Sequence, residues 1–113
     1  MYKDTYKAVF DGLTKLLEEE EVYLLKGLRL DDLALRLNTN TAYVSAVINR
    51  QYQVNFFTLI NRYRINKAIE LLDKGGVQIK TVWKQSGFNS QSAFNIAFKK
   101  EKGVTPSEWV ASL

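Results

Sequence analysis

Gln91 and Asn95 stand four residues apart, so on a helix their carboxamides share one face. A side-chain amide carries both a donor and an acceptor, and it can pair with N6 and N7 of adenine in a bidentate fashion. Ser92 adds a hydroxyl that suits either kind of base edge, and Ile96 adds an apolar surface for a thymine methyl. Lys99 and Lys100 follow one turn later, where phosphates are expected, and Ser90 stands at the start as a helix cap and backbone contact. This is recognition chemistry. The chain has no cysteine and no histidine, which removes disulfides, thiolate or imidazole metal sites, and Cys/His or Ser/His nucleophiles. Its acidic residues do not gather as a carboxylate-only site would require. No catalytic residue, metal or cofactor is implied, and the chain is read as a non-enzyme.

A second group of residues repeats the pattern with weaker chemistry. Ala42, Ser45 and Ala46 are small, leaving Asn49 and Arg50 as the stronger polar groups, while Asn40, Thr41 and Tyr43 suit the nucleic-acid backbone. The small residues allow either close groove approach with methyl contacts or a purely positioning role, and both remain open. Arg62, Arg64 and Lys67 could also meet phosphates, although a solvated face flanking the core is the preferred reading for them.

Both groups fall on the second helix of a helix-turn-helix pattern that occurs twice, about 49 residues apart, over Leu30–Ile48 and Ile79–Phe98. Ala34 aligns with Trp83, Asn38 with Gly87, Thr39 with Phe88, Val44 with Ala93 and Ile48 with Ala97. One such unit places a helix in a DNA major groove. Two in 113 residues describe a chain that reads two adjacent groove segments.

The elements that position these groups follow from apolar spacing. A first helix is expected over about residues 4–25, from Tyr6, Val9, Phe10, Leu13, Leu16 and Leu17, with Glu18–Glu21 as its solvated end and Tyr23, Leu24 and Leu25 packing the turn onto the core. Helices of about Asp31–Leu37 and Thr41–Arg50 make the first unit, with Asn38 at the sharp turn and Thr39 or Asn40 as the cap. Val44, Val47 and Ile48 should be buried. A long helix, about Phe56–Asp73, begins at the cap Asn55, presents Phe56, Leu59, Ile60, Tyr63, Ala68, Leu71 and Leu72, and stops at Gly75-Gly76. Its length of roughly 27 Å suits a spacer between successive groove faces, which recur every ~34 Å. Helices of about Ile79–Ser86 and Gln91–Lys100 make the second unit around Phe88, Phe94 and Phe98. Thr105-Pro106-Ser107-Glu108 combines a capping box with proline at the first helical position and starts a last helix carrying Trp109 and Val110. The fold class is all-α: about seven helices, homeodomain-like, with a first subdomain at 1–54, a linker helix at 55–74 and a second subdomain at 75–113.

Charge agrees with this division. Residues 1–35 hold five Lys/Arg against eight Asp/Glu, whereas residues 36–113 hold eleven against four, so the basic portion coincides with most of the repeated motif. No apolar run approaches the ~18–20 residues of a membrane span, and the polar start is unlike a signal peptide. A cytoplasmic location is expected.

The stretches Leu30-Asp31-Asp32-Leu33-Ala34, Tyr43-Val44-Ser45, Tyr63-Arg64-Ile65 with Ala68 and Leu71-Leu72, and Gly87-Phe88-Asn89-Ser90-Gln91-Ser92-Ala93-Phe94-Asn95 together resemble the DNA-binding domain of the AraC/XylS family of bacterial transcription regulators. Phe98-Lys99-Lys100 and Gly103-Val104-Thr105-Pro106-Ser107-Glu108 extend the resemblance to about residues 5–112. It implies two helix-turn-helix subdomains on one DNA face, with Ala42, Ser45, Ala46, Gln91, Ser92, Asn95 and Ile96 toward the bases. It implies recruitment of RNA polymerase as an activator, and a C-terminal module that is monomeric alone and dimeric through parts outside this sequence, with Met1 an artificial start. Trp83 departs from the alanine usual at a tight helix crossing, which would require repacking or tilting. Ala46 and Ile96 replace positions often held by arginine, and Arg29 and Gln78 stand where Ser or Thr often caps. The rival reading is a helical protein-interaction module with only weak, nonspecific DNA binding.

Overall fold

The computed structural model describes residues 2–113, with side chains from Thr5 onward. Met1, expected to be an artificial start, lies outside the described residues. The helices are α1 (Tyr2–Glu18), α2 (Leu30–Arg36), α3 (Thr41–Tyr52), α4 (Phe56–Lys74), α5 (Ile79–Gln85), α6 (Gln91–Lys102) and α7 (Pro106–Ala111), with a 3-10 turn at Val22–Leu24. No strand occurs among the described residues, so the expected all-α class holds. Two compact units emerge: Leu28–Ile60 with the chain up to Val22, and Asn61–Leu113 with the segment Tyr23–Gly27. The long helix α4 passes from one unit into the other.

In the first unit α1 buries Val9, Leu13, Leu16 and Leu17, a helical stripe that faces inward while Lys7, Asp11, Lys15 and Glu18 face water. The helix stops at Glu18, well short of the expected residue 25. Four successive carboxylates at the negative end of the helix dipole repel one another and that dipole, and Glu21 turns into the left-handed region with φ 49°. Val22 is buried beyond it; in the segment that belongs to the second unit Tyr23 is buried but Leu25 is exposed, against the expectation that it packs inward. Leu33 and Ala34 of α2 and Val44, Val47 and Ile48 of α3 are buried, as are Phe56, Leu59 and Ile60 at the start of α4. Asn38 makes the turn at φ 55°, and Asn40 is the cap of α3, its Oδ1 accepting from the Tyr43 N–H at 2.8 Å. Asn55 caps α4 in the same way, accepting from the Thr58 N–H at 2.9 Å.

The second unit packs around Ile65 and Ala68 of α4, Val82 of α5, Phe88 of the turn, and Phe94, Ala97 and Phe98 of α6. Ile65 is fully buried, a position absent from the expected apolar set. Edge-on ring contacts run from Phe88 to Phe94 at 5.4 Å, on to Phe98 at 5.7 Å and then to Trp109 at 6.0 Å. Such pairs add about 0.5–1.5 kcal/mol each beyond the area they bury. The capping box of α7 is complete: the Thr105 N–H donates to Glu108 Oε1 at 2.9 Å, and the Glu108 N–H donates to Thr105 Oγ1 at 3.1 Å.

The internal repeat changes register within the turn. Asn38 and Gly87 both have positive φ and are 49 residues apart, yet the caps Asn40 and Ser90 are 50 apart. The buried residues of α3 (Val44, Val47, Ile48) therefore match Phe94, Ala97 and Phe98 rather than Ala93 and Ala97 at the expected offset. Ala93 is exposed. The extra residue lies in the turn of the second unit, where Phe88 becomes part of the core instead of leaving an exposed connection.

Candidate nucleic-acid interface

In α6 the two faces separate cleanly. Phe94, Ala97 and Phe98 are buried, and Gln91, Ser92, Asn95 and Ile96 are exposed, Ile96 with 70% of its surface open. Ser90 Oγ accepts from the Ala93 N–H at 3.1 Å, so the hydroxyl caps the helix while its own hydrogen stays available. The buried phenylalanines fix the roll of α6 about its axis. That roll is what aims both carboxamides outward from one surface.

Lys99, Lys100 and Lys102 occupy the last turn, which favours cations at the negative end of the helix dipole. Lys102 lies over the Trp109 ring at 5.7 Å, while Lys99 and Lys100 are exposed. Glu101 is paired with Arg62 at 2.8 Å. The Glu108 carboxyl is held below the usual carboxylate range, first by the Thr105 backbone N–H and hydroxyl and then by the field of Lys99.

The corresponding face of α3 is shallower. Ala42, Ala46, Asn49 and Arg50 are exposed, and Thr41, Tyr43 and Ser45 are half-buried. The Arg50 guanidinium lies over the Tyr6 ring at 5.9 Å, and the Asn40 carbonyl oxygen is taken up by its cap. The structure thus brings Gln91, Ser92, Asn95 and Ile96 together on one exposed face and gives the first unit a face of small side chains bordered by Asn49 and Arg50.

The cations of α4 have internal duties. Arg64 donates from Nε to the Tyr23 carbonyl at 2.7 Å and from Nη2 to the Leu25 carbonyl at 3.0 Å, with its guanidinium 5.7 Å from the Phe88 ring centre. Burial lowers its pKa from the ordinary arginine range. Arg62 holds Glu101 and Lys67 approaches Glu70 at 3.8 Å. These partnerships agree with the core-flanking reading. Arg64 has the most specific role, and its partners lie 39 and 41 residues away, where local pattern gives no signal.

The turn that launches α6 depends on the same contact. Gly87 has φ 94°, and a Cβ there would lie 2.4 Å from the Tyr23 carbonyl oxygen. Ser86 beside it is fully buried and satisfies its hydroxyl by donating to the Val82 carbonyl at 2.9 Å. Trp83 sits half-buried at the margin of the core, its indole N–H donating to the Lys80 carbonyl at 2.9 Å, while Val82 takes the fully buried place. The first turns of α2 and α5 have no side-chain cap from Arg29 or Gln78. In α2 the Arg29 N–H is satisfied instead by Asp32 Oδ2 at 2.8 Å. Among the described residues no group of three or more potential ligand side chains could hold a metal ion, and no helix is long and apolar enough to cross a membrane.

Comparison with known proteins places this arrangement. A helix-turn-helix domain family model matches residues 33–112. The TCP pilus virulence regulatory protein of Vibrio cholerae is 34% identical over 90 residues, covering 80% of this chain and 32% of that protein. The structure of ToxT from Vibrio cholerae is similar at TM-score 0.77 and 31% identity, over 90% of this chain and 38% of that one. The DNA-binding domain of AdpA, the global transcriptional factor, solved in complex with a target DNA, has a TM-score of 0.78 over 92% of this chain and 90% of that one; at 17% identity the likeness is one of fold. The chain spans a third or less of the length of the curated relatives it matches. With two helix-turn-helix motifs on a shared long helix and a family match across most of its length, the chain belongs to the AraC/XylS family of DNA-binding transcription regulators.

Proposed function

We propose that this chain binds duplex DNA in a sequence-dependent manner, with α6 as the principal reading helix and α3 in the neighbouring major-groove segment. One observation carries this: Gln91, Ser92, Asn95 and Ile96 form an exposed face directly behind a buried phenylalanine core. Two amides and a hydroxyl supply donors and acceptors for base edges, and Ile96 supplies a methyl contact. Ala42, Ser45, Ala46 and Asn49 form the corresponding face of α3, where small side chains let the helix sit close to the bases. Asn40, Thr41, Tyr43, Arg50, Ser90, Lys99 and Lys100 serve the phosphates.

Residues 1–54 and 75–113 act as the two reading subdomains, with 55–74 as the helix that joins them. The site is asymmetric, because the two reading faces differ in chemistry. As the family resemblance implies, the bound module recruits RNA polymerase as an activator in the cytoplasm. It is monomeric alone and dimerises through parts of a longer protein. Its work is binding, not catalysis.

Selection of preferred sites from a random duplex library by the purified chain tests this. The expected result is one asymmetric motif with two sub-sites about ten base pairs apart. A motif confined to one sub-site would restrict α3 to positioning. Absence of enrichment, with only weak salt-sensitive binding, would overturn sequence reading in favour of a helical protein-interaction module, for which the exposed Ile96 would be a contact.

A further inference from the structure

We propose that Lys26, Lys80 and Lys84, arranged around Trp83 on the second unit, form a phosphate-binding patch that grips the DNA backbone outside the base-reading face. The Lys26 and Lys84 ammonium groups lie 5.7 and 5.5 Å from the centre of the Trp83 ring. The ring itself is oriented by the indole N–H, which donates to the Lys80 carbonyl at 2.9 Å. Lys80 and Lys84 are four residues apart on α5, so they rise from one face of it. All three lysines are exposed, and among the described residues none has a carboxylate at ion-pair distance.

The contrast with the other unit is chemical. The helix α5 reads Ile-Lys-Thr-Val-Trp-Lys-Gln with no acid, whereas its counterpart α2 opens with Asp31 and Asp32. In a helix-turn-helix the first helix crosses the nucleic-acid backbone while the second enters the groove. An uncompensated pair of lysines on that first helix therefore sits where phosphates pass. The ring limits the freedom of two long side chains before binding, which reduces the entropy lost when they engage an anion. The flat, half-buried indole also offers a sugar an apolar surface. An acidic protein surface would answer the same charges, but nothing about α5 points to a protein groove, and its place in the motif favours the backbone.

This inference rests on the DNA-binding reading, and the test separates the two. The purified chain is titrated with a fixed duplex carrying its selected site at several salt concentrations, as wild type, as Lys26→Gln/Lys84→Gln, and as Lys7→Gln/Lys15→Gln. The last pair removes the same charge from α1. Two phosphate contacts at ~0.9 each predict that only the patch variant lowers the slope of log K against log salt, by about 1.8. An equal, small change in both double variants would overturn the patch and leave only a general charge effect. An unchanged slope in the patch variant with wild-type binding intact would also overturn it, and capture of a polyglutamate chain by wild type alone would then assign the lysines to an acidic protein. No salt-dependent DNA binding by the wild type would overturn the underlying reading instead. Matching far-UV spectra and melting curves for all three proteins exclude unfolding as the cause.

Discussion

Gly87→Ala tests the joint that aims α6. With φ at 94° the residue lies in the left-handed half of backbone space, which costs an L-residue about 1–2 kcal/mol. The new methyl would also meet the Tyr23 carbonyl oxygen at 2.4 Å, Arg64 Nε at 3.0 Å and the Leu24 Cα at 3.1 Å. Two of those three atoms belong to backbone, so the methyl cannot be accommodated by a simple rotamer change. Displacing the carbonyl lengthens its 2.7 Å bond from Arg64, a charged hydrogen bond worth about 1.5–3 kcal/mol. The sum is about 2.5–5 kcal/mol against a total stability on the order of 5–15 kcal/mol for a domain. Gly103→Ala supplies the comparison: φ is 78°, but nothing lies within 4 Å of the added atom, so the strain alone, about 1 kcal/mol, is expected. Urea titrations followed by tryptophan fluorescence read the right part of the chain, since Trp83 and Trp109 both belong to the second unit. The expected midpoints fall in the order wild type, Gly103→Ala, Gly87→Ala, with the alanine variants separated by about 1.5–4 kcal/mol. Losses within about 0.5 kcal/mol of each other would refute a close-approach role for Gly87, because strain would then account for both.

Gln91→Ala and Asn95→Ala should each weaken the selected site by about 1–3 kcal/mol while leaving scrambled duplex binding nearly unchanged, whereas Lys99→Ala should weaken both and lower the salt slope by about one. Equal losses on both duplexes for Gln91→Ala, measured by fluorescence anisotropy, would remove its base-reading role. Arg64→Met keeps much of the apolar stem but loses both carbonyl contacts, so urea unfolding should show a loss of about 2–4 kcal/mol, and a loss below about 1 kcal/mol would mean water replaces the guanidinium without penalty. Glu108 has its pKa depressed in the folded chain, so its contribution is complete above the unfolded value of about 4.3 and is lost as pH falls through the lower folded value. The stability gap between wild type and Glu108→Gln should therefore shrink on acidification from pH 6 toward pH 3, as read by thermal melts; a constant gap would exclude the carboxylate's cap as its source.

Much of the fold was legible because its signals are local. The α6 face, the Ser90 and Asn40 caps and the Thr105–Glu108 box each depend on residues within one or two turns of each other, where 3.6-residue periodicity and orphan N–H groups constrain the chain. The end of α1 was harder to read. Apolar residues continue past the acidic run, so spacing alone extended the helix, whereas repulsion among the carboxylates and the turn at Glu21 end it at Glu18. The repeat was visible at its first helix, but its register in α6 was not. A one-residue lengthening of the turn follows from Phe88 entering the core, which is a packing event between residues of different elements.

By itself the sequence determined an all-α chain with two helix-turn-helix motifs, the absence of cysteine and histidine chemistry, and the residues that can present amides, hydroxyls and lysines from α6. These follow from composition and from spacing along single helices. Only the tertiary structure decided that Arg64 binds the Tyr23 and Leu25 carbonyls, that Gly87 must lack a side chain to sit against Tyr23, and that Lys26 joins Lys84 at the Trp83 ring. Each of these pairs residues tens of positions apart. Their proximity is set by how Ile65, Val82 and the phenylalanine core pack against one another across different elements, a pairing that spacing along single helices does not encode.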